Sequence, residues 1–207
     1  MTSILFVTSS PRGSDSYSNR VAARVLDELK QAHPGAKIVV RDVARVPLPH
    51  VDEDFVAAIG TGEGPKTPRQ QAILARSDAL VDELLEADFV VIAAPMYNFG
   101  IPSTLKAWID HVARAGRTFR YSEKGPEGLV KGKKVILIHS RGGVYSSGPA
   151  RPLDHQGTYL RSLLGFLGMT DIESIDIEGV AYGADAAEQA VSNGITRARA
   201  LVDAFAA

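Results

Sequence analysis

The sequence has no cysteine, one tryptophan, three methionines and almost no net charge: 23 basic residues face 24 acidic ones over 207 positions. Without cysteine there is no disulfide framework, no thiolate nucleophile and no cysteine-based zinc site. That absence fits a reducing compartment, so a cytoplasmic protein is expected. Balanced charge gives no field to attract nucleic acid or an anionic membrane, and neither is expected as a partner. Long apolar runs are missing as well, none nearing the ~18 residues of a membrane span. The run Ile4-Leu5-Phe6-Val7 is too short for a signal peptide and has no basic stretch before it. Three nucleotide or hydrolase signatures are also absent: Gly-x-Gly-x-x-Gly after a strand, a P-loop, and a Gly-x-Ser-x-Gly elbow. The nearest approach to a P-loop, 128–133, has the wrong spacing and no Ser or Thr after its lysine.

An apolar share of 45% is enough for a sizeable core. Short apolar runs at 4–7, 38–40, 89–94, 135–138 and 172–177 alternate with stretches of helical periodicity. Val21, Val25 and Leu29 share one face of the first helix, which Ser18 or Asn19 can cap. The others span 70–85, a stretch opened by Pro102 with Leu105, Trp108, Ile109 and Val112 inward, 159–167 and 184–205. The run 89–94 is apolar on both faces, the mark of a central parallel strand. Five strands alternating with five helices predict one α/β domain over 1–207: a doubly wound five-stranded parallel sheet with helices on both faces. The segments 43–66, 116–132 and 144–157 read as loops, the first with at most about one helical turn.

In such a sheet ligands lie beyond the carboxyl ends of the strands, so the loops after the first, third and fourth strands are the ones to examine. The loop 9–19 carries five serines ahead of a helix N-terminus, where free amides and hydroxyls suit a phosphate; a capped helix with a polar surface loop explains it equally well. The stretch Pro95-Met96-Tyr97-Asn98-Phe99-Gly100-Ile101-Pro102 places a thioether and two aromatic rings where they cannot join the sheet core, beside the amide of Asn98. Ser140-Arg141-Gly142-Gly143 offers two glycines that let a ligand approach the main chain and tolerate positive φ.

At these residues the sequence resembles the FMN-dependent NADH azoreductases, which also reduce quinones. The likeness runs through Thr67-Pro68-Arg69-Gln70-Gln71, Ala94-Pro95-Met96-Tyr97-Asn98-Phe99, Val112-Ala113-Arg114-Ala115-Gly116, Thr118-Phe119-Arg120-Tyr121, Gly125-Pro126-Glu127-Gly128-Leu129-Val130, Ser140-Arg141-Gly142-Gly143 and Leu164-Gly165-Phe166, and so covers almost the whole chain. It implies a flavodoxin-like fold, an FMN cofactor and a homodimer with each flavin partly covered by the other subunit. Ser10, Ser16, Tyr17 and Ser18 would hold the phosphate and ribityl end. Met96, Tyr97, Asn98 and Phe99 would line the ring, and Ser140, Arg141, Gly142 and Gly143 would meet its pyrimidine side. Tyr121 and Phe166 match positions that flank the substrate. Electrons would pass from NADH, or NADPH, to quinones and aromatic azo compounds in a ping-pong cycle. A flavodoxin-type electron carrier without nicotinamide turnover is the alternative, though this chain is longer and closer to neutral than such carriers.

Other polar residues read as structural. Asp154-His155 opens a helix, His139 packs at a strand end, Asp52-Glu53-Asp54 is a solvated acidic turn, and Trp108 belongs to the core or a dimer contact. Asp15 is unfavourable beside a phosphate unless it caps the helix or turns to solvent, and Arg12 could offset it. Segment 144–157 gives no guide to the acceptor.

Overall fold

The structure, a computed structural model, describes residues 1–60 and 64–206. Strands β1 (Ser3–Thr8), β2 (Lys37–Asp42), β3 (Phe89–Pro95), β6 (Lys134–Ser140) and β7 (Asp171–Ile177) form one parallel sheet in the order β2-β1-β3-β6-β7. A separate antiparallel hairpin, β4 (Phe119–Ser122) with β5 (Gly125–Gly128), stands between the third and fourth sheet strands in the chain. The helices are α1 (Tyr17–Ala32), α2 (Glu53–Ile59), α3 (Pro68–Glu86), α4 (Ser103–Val112), α5 (His155–Leu167) and α6 (Ala184–Ala206).

The two-residue period of β3 divides the core. Phe89, Val91 and Ala93 face α1 and α6, meeting Val21, Val25, Leu29, Val191 and Leu201. Val90, Ile92 and Ala94 face α3, α4 and α5, meeting Leu84, Leu105, Trp108, Leu160 and Leu164. Each fully buried aliphatic here contributes about 1.5–3 kcal/mol. Trp108 is therefore a core residue, 1% exposed. Among the described residues no helix is long and apolar enough to cross a membrane.

The five-stranded parallel sheet, its central third strand and the long helices match the sequence pattern; the differences lie where polar side chains set element ends. Segment 43–66 holds a seven-residue helix, α2, because the Asp52 carboxylate accepts from Phe55 N at 2.8 Å and caps it. The acidic turn is thus a helix start, and Arg69 pairs with Asp52 and Asp54. Helix α3 begins at Pro68 because Thr67 and Gln70 close a reciprocal capping box. Helix α1 is capped by Ser16, whose hydroxyl accepts from Asn19 N, rather than by Ser18 or Asn19. Helix α5 starts at His155, four residues before the apolar pattern, because Asp154 accepts from the amides of Gln156 and Gly157. The hairpin β4–β5 replaces an expected loop.

Candidate functional site at the carboxyl edge of the sheet

Main-chain hydrogen bonds stitch the three loops into one rim. Ser9 N donates to Ala93 O at 3.1 Å, Met96 N to Ser140 O at 2.8 Å, and Arg141 N to Ile177 O at 2.9 Å. Each bond extends the ladder past the ends of β1, β3, β6 and β7. Three stretches distant in sequence thereby acquire fixed relative positions.

On the α1 side the rim is polar and closed. Ser10, Ser16 and Ser18 are at most 4% exposed. The Ser16 and Ser18 hydroxyls are 3.1 Å apart, and Ser10 Oγ accepts from Arg12 N at 3.4 Å. Asn19 ties the loop down: its carbonyl oxygen accepts from the Thr8 hydroxyl at 2.6 Å, and its amide donates to Gly13 O at 3.0 Å. The amides of Tyr17 and Ser18, at the first turn of a 16-residue helix, have no intrahelical acceptor. Asp15 does not cap; it is exposed in a short 3-10 turn, while the Arg12 guanidinium lies 5.0 Å over the Tyr17 ring.

The middle of the rim is strained. Tyr97 N donates to Gly100 O and Gly100 N to Tyr97 O, closing a two-residue turn with Asn98 at φ 48° and Phe99 at φ 68°. Left-handed backbone is unusual for a phenylalanine, and such strain concentrates at ligand sites. The turn is braced from below, since His155 N, the first amide of α5, donates to Phe99 O at 3.1 Å. Tyr97 and Phe99 are 44% and 42% exposed, and among the described residues the Asn98 side chain has no partner. Beneath the turn, between α4 and α5, runs a groove of about 560 Å³ whose walls include Ile101, Lys106, His155 and Tyr159.

The third stretch differs from its sequence reading in its reasons. Neither Gly142 nor Gly143 has positive φ. A Cβ on Gly143 would instead come within 3.3 Å of the Tyr145 ring. The Arg141 side chain is 2% exposed and turned to an ion cluster: Asp154 and Glu178 at 3.0 Å, Asp176 at 3.2 Å, and the Gln156 carbonyl oxygen at 3.1 Å. Only its main chain faces the question of a ligand.

Tyr121 and Phe166 lie elsewhere. Phe119 packs on both, with centroids 5.6 and 4.8 Å away, at the hairpin and the far end of α5. From His155 beneath the turn to Phe166 the helix rises roughly 16 Å. One chain therefore does not bring these two residues to its own rim.

Residues 2–202 match the flavodoxin-like fold family. The FMN-dependent NADH:quinone oxidoreductase of Mesorhizobium japonicum is 50% identical over 205 residues, 99% of this chain and 96% of that protein. A counterpart from Rhizobium etli is 52% identical over 191 residues, 92% and 93% of the two chains. The chain belongs to this family. Among solved structures, an azoreductase from Bacillus anthracis superposes with a TM-score of 0.89 at 36% identity, covering 99% of this chain and all of that one. An FMN-dependent NADH-azoreductase from the same organism, in complex with FMN, gives 0.91 at 25% identity over the full length of both. The resemblance read from the sequence is thus borne out.

The rim fits the cofactor of these oxidoreductases. FMN needs a dianion site without a carboxylate turned into it, a flat apolar contact, and main-chain groups at a heterocycle edge. The helix amides with buried serine hydroxyls would supply the first, the exposed 97–99 turn the second, and the ladder ends at Ser140 and Gly142 the third.

Burial favours the neutral form of two histidines, His139 near the end of β6 and His111 in the last turn of α4. Burial pushes His139 down, against the bond from its Nδ1–H to Asp176 at 3.0 Å, and the Arg141 charge adds to the lowering. Burial also lowers His111, partly offset by its Nε2–H donating to Pro49 O at 3.1 Å. Among the described residues the remaining nitrogens, His139 Nε2 and His111 Nδ1, are buried without partners, which suits rings that carry their single proton on the other nitrogen. In the unfolded chain both titrate near 6.5, so below that pH the unfolded state binds more protons and stability falls. Lowering pH from 7.5 to 5.5 should depress the melting temperature, by roughly 2–4 °C per kcal/mol lost in a chain of this size. A flat profile across that window would contradict the neutral assignment.

Sequence reasoning missed Glu178, Gln156 and Tyr145. Each acts through a partner far along the chain, and only the Asp154 cap left a local signal.

Proposed function

We propose that this chain is an FMN-dependent oxidoreductase that takes electrons from NADH, or NADPH, and passes them to quinones and aromatic azo compounds. The carrying observation is the stitched rim: a serine-lined helix start on one side and a strained, aromatic turn on the other, fixed by bonds among four strand ends. FMN, when bound, supplies the two-electron carrier between donor and acceptor. Ser10, Ser16 and the Tyr17 and Ser18 amides hold the phosphate. Met96 to Phe99 orient the ring and leave a neighbouring groove open for a flat molecule. Donor and acceptor use that space in turn, which makes the cycle ping-pong and removes the need for a separate nicotinamide fingerprint. The groove and the family membership favour an enzyme over a simple electron carrier.

The placement of Tyr121 and Phe166, a helix length from the rim of their own chain, supports a homodimer in which each subunit offers these rings to the other's groove. Sedimentation of the purified protein tests this, a monomer at micromolar concentration counting against it.

Asn98→Gly removes the side-chain amide while keeping left-handed backbone available. It should weaken FMN binding about tenfold, as loss of a ring-directed hydrogen bond implies. Unchanged flavin affinity in an equilibrium titration would show that Asn98 does not face the ring. For the reaction itself, anaerobic NADH should bleach the yellow protein and a quinone should restore the colour. Failure of either step excludes the proposed activity.

A further inference from the structure

Beyond the rim loops, one carboxylate governs how the 144–157 segment leaves the sheet. Glu178, one residue past β7, accepts hydrogen bonds from Tyr145 N at 2.8 Å, Ser146 N at 2.9 Å and the Ser146 hydroxyl at 2.5 Å. It receives a fourth from the buried Arg141 guanidinium at 3.0 Å. Two successive amides held by one ionised acceptor leave the backbone at Tyr145 a single direction, and bonds of this kind are stronger than neutral ones. Arg141 is itself anchored to the N-cap of α5 through Asp154, and to β3 through Gln156, whose amide donates to Ala94 O at 3.1 Å.

The result is a placed aromatic ring. Tyr145 stands edge to face with Phe99, centroids 6.1 Å apart, and its phenol end lies over Gly143, where any side chain would press on it. The ring thus bridges the second and third rim stretches. In the sheet order its loop, after β6, lies on the other side of the 97–99 turn from the serine-lined loop after β1. Tyrosine suits such a wall because it offers a wide flat contact with only two side-chain torsions to order.

We propose that Tyr145 is a specificity-determining residue for the acceptor, and that Glu178, clamped by Arg141, is the positioning residue that holds it. This rests on the flavin-dependent reading above. A wide, fused-ring quinone reaches the Tyr145 wall, whereas a single-ring quinone stacks on the cofactor without needing it.

The test uses Glu178→Ala, the milder Glu178→Gln, Tyr145→Ala and Tyr145→Phe in the full-length protein. Amide exchange in the flavin-free and flavin-loaded protein is read at residues 145 and 146 against the first turns of α1. In Glu178→Ala the two loop amides should exchange about tenfold faster or more while α1 is unchanged. The ratio of kcat/KM for a naphthoquinone over a benzoquinone should fall roughly fivefold in Tyr145→Ala and Glu178→Ala, through KM, and hold in Tyr145→Phe. Glu178→Gln should lie between. Unaltered exchange in Glu178→Ala overturns the positioning role. An unaltered ratio in a yellow, NADH-reducible Tyr145→Ala overturns the specificity role while leaving the enzymatic reading intact. A wild-type protein that NADH cannot reduce overturns both.

Discussion

Arg141→Met should cost about 3–5 kcal/mol of folding stability at neutral pH, because it removes the guanidinium that pairs with a largely buried group of acids. The guanidinium reaches Asp154, Asp176 and Glu178 within 3.0–3.2 Å, and these side chains are only 12–33% exposed. Methionine keeps the stem's length and apolar packing, so the loss is electrostatic. For Asp176, burial alone would raise the carboxyl; the hydrogen bond from His139, with the charges of Arg141 and Arg161, brings it below its ordinary value instead. That lowered group contributes stability present above its unfolded pKa and lost as pH falls through its folded one. Without Arg141 the three carboxylates repel and Asp176 loses a charge that lowers it, so the deficit should shrink as pH drops toward 5 and Asp176 takes up its proton. Urea denaturation of both proteins at pH 7.5 and 5 measures this. A loss under about 1 kcal/mol at pH 7.5 would mean the carboxylates are solvated rather than paired.

Gly128→Ala should be comparably severe for a steric reason. A Cβ there would lie 2.2 Å from Gly168 N and 2.4 Å from Leu167 C, both backbone atoms. Gly168 cannot yield easily: it ends α5 in left-handed conformation at φ 106°, and its amide is bonded to the last-turn carbonyls. Either the β4–β5 hairpin lifts away or the end of α5 unwinds, at a cost of about 3 kcal/mol or more. The hairpin carries Tyr121, so acceptor turnover should fall further than FMN binding. Wild-type stability and turnover in Gly128→Ala would place the hairpin elsewhere.

Legibility in the sequence followed burial. The two-faced apolar run of β3 and the Val21–Val25–Leu29 spacing of α1 announced a central parallel strand and a covering helix, because core contacts impose a period. Gly125, Pro126 and Gly128 impose none, and the hairpin is not legible in the pattern; its place against α5 is set by the close Gly128–Gly168 approach. The start of α5 was masked by Gln156-Gly157-Thr158, which are polar or small and helical only because Asp154 caps them. The 97–99 stretch was recognisable as a ligand-facing loop, yet nothing in a phenylalanine announces a left-handed backbone. Arg141 was drawn toward the cofactor by its glycine neighbours, whereas its guanidinium answers to acids 13 to 37 residues away. Tyr145 and Glu178 are 33 positions apart, and a bond from a backbone amide to a distant carboxylate leaves no trace in composition or period.

The central claim is that three loop ends form one cradle for a phosphorylated flavin, with the α1 start taking the phosphate. Titrating flavin-free protein with FMN and, separately, with riboflavin tests it most directly, following quenching of flavin fluorescence. One FMN per chain, bound at least about a hundredfold more tightly than riboflavin, is the expected result, since helix amides and buried hydroxyls act only on the phosphate. Equal affinity for the two, or binding of neither, would contradict it.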